Sequence, residues 1–346
     1  MTSDRSQLPF LKACRGEPVP HTPIWLNRQA GRYMPEYHQV KGNTPSLEFF
    51  KRPDLAARVT LDAQRILGVD AAIMFADLLP ILEPMGLELD YKPGVGPVFA
   101  NPLRTRADVA RLAVVPAADG CGYITATVQG ILADLPATAA LIGFAGAPFT
   151  LASYAIEGRG SRNYIWVKKM MYEAEDLWDQ VMVKLVEAVA DYVHLQIDAG
   201  VDAVQLFDSW IGALSEYDYR RYVAPYANDL MHRIRGRVPI ISFGTGNPHL
   251  VDEMYAAGPD VMALDWRTPL RKTWDRLGCV AVQGNLDPIV LCADRQAIAR
   301  QAGVLLDEVG GRPGHIFNLG HGIVPETPVD NVKYLVDLVH GYHGRA

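Results

Sequence analysis

The sequence predicts an α/β fold, a single (β/α)8 TIM barrel forming one domain over residues 1–346. Three observations carry that reading: eight short apolar runs, helix-periodic segments alternating with them, and no Gly-, Ser- or Pro-rich linker dividing the chain. The runs are nearly continuous rather than alternating in polarity, as expected of parallel strands covered on both faces.

In chain order, PIWL (Pro23–Leu26) is the first expected strand and AAIMFA (Ala71–Ala76) the second, with helical periodicity over Ser46–Leu67 between them. Leu78–Pro102, rich in Pro and Gly, reads as an inserted hairpin or loop, and periodicity resumes over Ala107–Leu135. Ala139–Ala145 is the third strand. The Tyr164–Ala199 segment after it is too long for one ordinary helix and is expected to break near Tyr172 or Glu173. Ala203–Phe207, Pro239–Phe243 and Val261–Asp265 supply the next strands, followed by helical Glu216–Ile234, His249–Ala257 and Pro269–Leu277. Val280–Gly284 and His315–Leu319 complete the eight, followed by Pro288–Val309 and Pro328–Tyr342. Thr268 and Asp287 are expected to cap the helices that Pro269 and Pro288 open.

With 49% hydrophobic and 21% charged residues the chain can bury a large core, which excludes disorder. No apolar run reaches the roughly 18 residues of a membrane span, and MTSDRSQLPFLKACRG resembles neither a secretory signal nor a transit peptide. The expectation is therefore a cytoplasmic protein with no membrane partner. A net charge of −6 argues against nucleic acid, whose binders carry a basic patch. An anionic ligand must instead meet a local positive pocket, whose low-dielectric walls focus its field. Cys14, Cys121, Cys279 and Cys292 are widely spaced with no CxxC pair, so they are expected to be reduced, buried thiols rather than a disulfide framework or a zinc site.

Polar residues punctuate the strand ends, where this fold builds its active site. Arg28 and Arg32, in NRQAGRY, offer two guanidinium forks for a polyanionic ligand; the plain alternative is an ion-pair cluster with Glu36. Asp77, after MFA, is either a loop cap or an acceptor for N–H groups of a ligand that also carries carboxylates. His321 lies between two glycines and lacks a second ligand at HxxxH or HxC spacing, which favours hydrogen bonding or proton relay over metal binding. Ser209, in FDSW, lacks the GxSxG elbow of a nucleophile and suits a hydroxyl that binds a ligand carboxylate, while Asp208 orients the loop. Phe207 beside it is ordinary core on residue type alone. Tyr154 stands where a helix begins after a Gly and Pro turn. The glycines near Gly143 and the GTGNP run match no phosphate-loop spacing, so no nucleotide is indicated.

The segment PIWLNRQAGRYMPEY resembles the N-terminal signature of the uroporphyrinogen decarboxylase family, and the similarity continues through FADLLP, GFAGAPFTLASYAIEG, QLFDSWIG, SFGTG, GNLDP and FNLGHGIVPETP. It covers essentially the whole chain. The resemblance implies a single barrel, a homodimer, and removal of carbon dioxide from the four acetate side chains of uroporphyrinogen III to give coproporphyrinogen III in haem synthesis, without cofactor or metal. Carried over by motif, the functional positions are Arg28, Arg32, Asp77, Tyr154, Ser209 and His321, with Phe207 against the macrocycle. Asn27 stands where the family commonly has Met, and Ala76 where Ser often precedes the Asp.

These residue types suit that chemistry. Asp77 would accept from the inward N–H groups of the tetrapyrrole and offset the charge of a protonated pyrrole, the ring itself serving as electron sink. Arg28 and Arg32 would hold carboxylates, with Arg28 the first choice to deliver the proton and His321 the fallback; Tyr154 and Ser209 would position carboxylates. Two rivals stand beside this reading: a zinc-dependent barrel methyltransferase acting on thiols or corrinoids, and a noncatalytic tetrapyrrole carrier.

Overall fold

The computed structural model describes residues 5–342. Nine strands occur among the described residues, β1 (Ala71–Ile73), β2 (Leu89–Lys92), β3 (Gly96–Phe99), β4 (Ala140–Gly146), β5 (Ala203–Asp208), β6 (Ile240–Gly244), β7 (Val261–Ala263), β8 (Ala281–Gln283) and β9 (His315–Ile316). Seven of them form one curled parallel sheet in the order β1-β4-β5-β6-β7-β8-β9, with helices between successive members. Buried β4, with every residue inaccessible, shows why the runs are apolar throughout. The other two strands pair antiparallel as a hairpin, Tyr91 opposite Pro97, within the predicted Leu78–Pro102 insertion.

Pro23–Leu26 is not a regular strand, contrary to expectation. It makes an isolated parallel bridge, Ile24 to Phe317, while Trp25 N–H donates to Phe317 O at 3.3 Å and Asp70 N–H to Ile24 O at 2.9 Å. Side chains replace the remaining ladder bonds: Ile24 N–H donates to the Asp70 carboxylate at 2.8 Å and Leu26 N–H to Gln29 Oε1 at 3.1 Å. The segment thus bonds to Phe317, just after β9, on one flank and to Asp70, just before β1, on the other.

The long helical segments are subdivided. Ser46–Leu67 becomes helices Ser46–Phe50 and Pro53–Leu67, broken where Pro53 starts a new helix. Ala107–Leu135 becomes three helices, and Glu216–Ile234 divides at Val223. The break expected near Tyr172 or Glu173 falls at Ala174, between helices Ile165–Glu173 and Glu175–Ala199. Pro288–Val309 divides into a 3-10 helix, Pro288–Cys292, capped by Asp287 as expected, and a helix Arg295–Val309 capped by Asp294. Thr268 is not a cap: its hydroxyl is buried without a partner, and Pro269 itself occupies the cap position. Cys14, Cys121 and Cys279 are buried free thiols as expected, but Cys292, the last residue of the 3-10 helix, is exposed.

Candidate active site

The RQAGR turn is built by its glutamine. Gln29 is fully buried; besides holding Leu26 N–H it donates to Ala71 O on β1 at 3.1 Å, and its carbonyl accepts from the Tyr33 hydroxyl at 2.7 Å. Asn27 N–H donates to Asn318 Oδ1 at 3.0 Å, and Asn27 O accepts from Ile323 N–H. Clamped between these partners, Arg28 takes a left-handed backbone, φ +63°, which a non-glycine residue holds only when its surroundings impose it. Its side chain lies across Gly322, where an added Cβ would fall 2.4 Å from Arg28 Cδ. The second glycine of GHG therefore makes room for the guanidinium.

A polar chain runs beneath this turn. Trp25 Nε1–H donates to Gln283 Oε1 (2.9 Å), Gln283 Nε2 to Gln205 Oε1 (2.9 Å), Gln205 Nε2 to Asn27 Oδ1 (3.1 Å), and Asn27 Nδ2 to Leu319 O (3.3 Å). All are buried, so each group depends on its neighbour. Asn27→Met strands the Gln205 amide and the Leu319 carbonyl, and a loss of about 1–3 kcal/mol is expected for such unpaired groups, read from urea unfolding. Unchanged stability would remove Asn27 from the network.

Asp77 follows β1 in a turn that it stabilises itself, Oδ1 accepting from Leu79 N–H at 3.0 Å. Its carboxylate keeps some surface open while protein surrounds it deeply, and that burial raises its pKa above the ordinary carboxylate value. Tyr91, the Leu79 amide and the charge of Arg28 oppose the rise without cancelling it. The Tyr91 hydroxyl, buried and short of good hydrogen-bond geometry with any partner, faces this carboxylate from the hairpin.

Tyr154, on helix Pro148–Glu157, packs edge-on against Trp210 with ring centres 5.5 Å apart. Burial, then the charge of Asp77, pushes its hydroxyl up to about 12. His321 meets Trp266 edge-on at 6.0 Å, and burial followed by the Arg28 charge lowers its pKa, so the imidazole is neutral at neutral pH. Arg28 is therefore felt by Asp77, Tyr154 and His321 alike. Phe207, at the end of β5, is half-buried between Phe144 and Phe243, ring centres 5.7 and 5.8 Å away, and forms an aromatic row across three strand ends.

Arg32 and Ser209 are tied to the cluster less directly. Arg32 is exposed, and its carbonyl accepts from His38. Neither Arg28 nor Arg32 has a carboxylate at ion-pair distance among the described residues, and a buried Glu36 oxygen has no partner; the proposed ion-pair cluster with Glu36 is absent there. Ser209 is half-buried directly after β5, its carbonyl accepting from Thr245. Asp208 does orient that loop: it accepts from the Thr150 hydroxyl at 2.7 Å, which in turn accepts from Trp210 N–H at 3.1 Å.

Sequence reasoning passed over Gln29, Tyr91 and the Asp265–Arg267 corner. Asp265 is fully buried, accepts from Gly246 N–H at 2.9 Å and pairs with Arg267 at 2.8 Å; Arg267 lies 3.5 Å over the Trp266 ring. This places a further guanidinium where its charge is felt at His321. A cavity of about 490 Å³ at the far end of helix Pro148–Glu157, lined by Arg104, Arg159, Arg162 and Trp166 among others, contains none of the predicted residues. The candidate site is thus located by converging charge rather than by volume: one carboxylate, an unpaired arginine, two phenols and a neutral imidazole, able to grip anions and accept N–H groups.

The family model described as uroporphyrinogen decarboxylase (URO-D) matches residues 5–342. A protein of Solibacter usitatus named uroporphyrinogen decarboxylase is 50% identical over 335 residues, covering 96% of this chain and 97% of its own. One of the same name from Chloroflexus aurantiacus is 51% identical over 339 residues, covering 96% of this chain and 95% of its own. Among solved structures, a methyltransferase from Methanosarcina mazei superposes with a TM-score of 0.82 at 21% identity, covering 96% of this chain and 97% of that one, a likeness of fold.

Proposed function

The chain belongs to the uroporphyrinogen decarboxylase family, and from that premise we propose that Asp77 is the central acceptor for the inward N–H groups of uroporphyrinogen while Arg28 and Arg32 grip its carboxylates. The family's members are carboxy-lyases of tetrapyrrole biosynthesis. The observation that carries the assignment is the imposed turn of Arg28, whose left-handed backbone and side chain laid across Gly322 set the guanidinium next to His321, with Asp77 and Tyr154 within reach of its charge.

Each acetate lost leaves an electron pair, which a pyrrole accepts once a ring carbon beside the acetate is protonated; the methylene carbon is then reprotonated to a methyl group. Asp77, ionised and shielded from water, offsets the cation that forms. The N–H donors of a bound macrocycle draw its raised pKa back down, so binding itself favours the ionised form. Phe207 and its aromatic neighbours offer a floor to the ring. Tyr154 and Ser209 position carboxylates. His321 is placed to donate a hydrogen bond to a carboxylate and is the fallback proton donor, with Arg28, directly or through water, the first choice.

The closed (β/α)8 barrel is supported by the bonds of the Pro23–Leu26 segment to both Phe317 and Asp70. A single domain, a homodimer and a cytoplasmic location complete the proposal; no helix among the described residues is long and apolar enough to cross a membrane. The test is anaerobic incubation of metal-free protein with uroporphyrinogen III, then oxidation and chromatography. Hepta- to tetracarboxylic products are expected. Unchanged uroporphyrinogen would favour the noncatalytic carrier and defeat the catalytic reading.

A further inference from the structure

At the opposite end of the sheet, three side chains far apart in sequence meet. Asp70 immediately precedes β1, His21 precedes the Pro23–Leu26 segment, and His340 ends the helix Val329–His340. His21 Nε2 lies 2.8 Å from Asp70 Oδ1 and His340 Nε2 lies 2.8 Å from Asp70 Oδ2. The imidazole centroids are 4.7 Å apart, and the donor atoms of all three residues lie within 4.8 Å of one another. We propose that His21, Asp70 and His340 form a binding site for a divalent transition-metal ion of the zinc class, separate from the decarboxylation site.

The donor chemistry fits. Two imidazole nitrogens and one carboxylate oxygen form a borderline N2O set with a single negative charge, which zinc accepts and which leaves a fourth tetrahedral position for water. The Asp70 side chain is 10% exposed, whereas those of His21 and His340 are 29% and 31% exposed, so the carboxylate is fixed while the rings keep a path to solvent. Ligand bonds of about 2.0–2.2 Å place neighbouring donors about 3.3 Å apart, so the two contacts at 2.8 Å open by about half an ångström and the imidazoles swing together. Ile24 N–H donates to the Asp70 carboxylate at 2.8 Å, an outer contact that holds the carboxylate in place for a metal ion. No lysine or arginine pairs with Asp70 among the described residues to compete with an ion. Each ligand comes from a different segment, so the ion ties the start of the sheet to the last helix.

The test uses the full chain freed of metal with a chelator and titrated with zinc chloride by calorimetry at about pH 8, with cobalt(II) as optical reporter. One-to-one binding, tetrahedral cobalt bands and a raised thermal midpoint are expected. His21→Gln and His340→Gln should each weaken binding by more than about tenfold, the loss that even an outer-shell partner brings, while circular dichroism and decarboxylase turnover stay at the parental level. No stoichiometric binding, or binding of undiminished strength in the folded H21Q/H340Q double variant, overturns the site. Should one single variant fail to fold, the other decides by the same criterion.

Discussion

Asp77→Asn is expected to lower kcat by on the order of 10²- to 10³-fold, the loss typical of one preorganised electrostatic group, while the chain folds as before. The substitution keeps the shape and one acceptor oxygen, so the Leu79 amide retains its partner. What disappears is the negative charge beneath the protonated pyrrole. Stability should move the other way. The folded pKa of Asp77 lies above its unfolded value, so the ionised carboxylate opposes folding at neutral pH, and that opposition fades as pH falls through the raised pKa. Removing the charge therefore leaves the urea midpoint unchanged or slightly higher. Turnover of the parent enzyme falls on the acid side as Asp77 takes up a proton, and the variant's residual activity lacks that limb. Near-normal turnover in the variant would refute the central-acceptor role.

The second large effect is expected of Arg28→Gly, with kcat/KM reduced on the order of 10²-fold, as for loss of a charge-assisted bidentate contact. The left-handed backbone makes glycine the informative choice. Relief of roughly 1 kcal/mol of conformational strain offsets a similar cost from glycine's greater freedom when unfolded, so the variant should melt within a degree or two of the parent. Arg28→Ala removes the same guanidinium but keeps the strained geometry. It should lose comparable activity with a lower melting point than the glycine variant. Calorimetric melts and steady-state rates on both proteins check the pair, and full activity in either would exclude Arg28 from substrate binding.

Apolar runs were readable wherever covered strands require them, and seven of eight became members of one sheet. Pro23–Leu26 escaped regularity because the Asp70 and Gln29 side chains take the amides that a ladder would use, a substitution no hydropathy pattern reports. The helix breaks at Val223 and after Cys292 carried local signals that hydrophobic period alone does not weigh: Pro225 in the first turn of the helix Ala224–Ile234 and the Asp294 cap of Arg295–Val309. At the site, Arg28, Asp77, Tyr154 and His321 followed from strand-end position and charge, and the structure relates them through the charge of Arg28. Tyr91 lay inside an insertion read only as a hairpin, and nothing in its spacing shows that its hydroxyl faces Asp77. Gln29 was hidden in plain view; an amide in an otherwise buried turn is a signal that the backbone nearby needs a partner. The His21, Asp70 and His340 trio spans almost the full length of the chain, beyond any local motif.

The turn carrying Arg28 is pinned on one side by Asn318, 291 residues downstream of Asn27. Such a contact is among the most distant a chain of this length can form, and it must await synthesis of nearly everything between. A ribosome-bound fragment ending before Asn318 would carry the arginine but lack the anchor that aims it. On the role proposed for Arg28, competence would therefore arrive late, once Asn318 has reached Asn27.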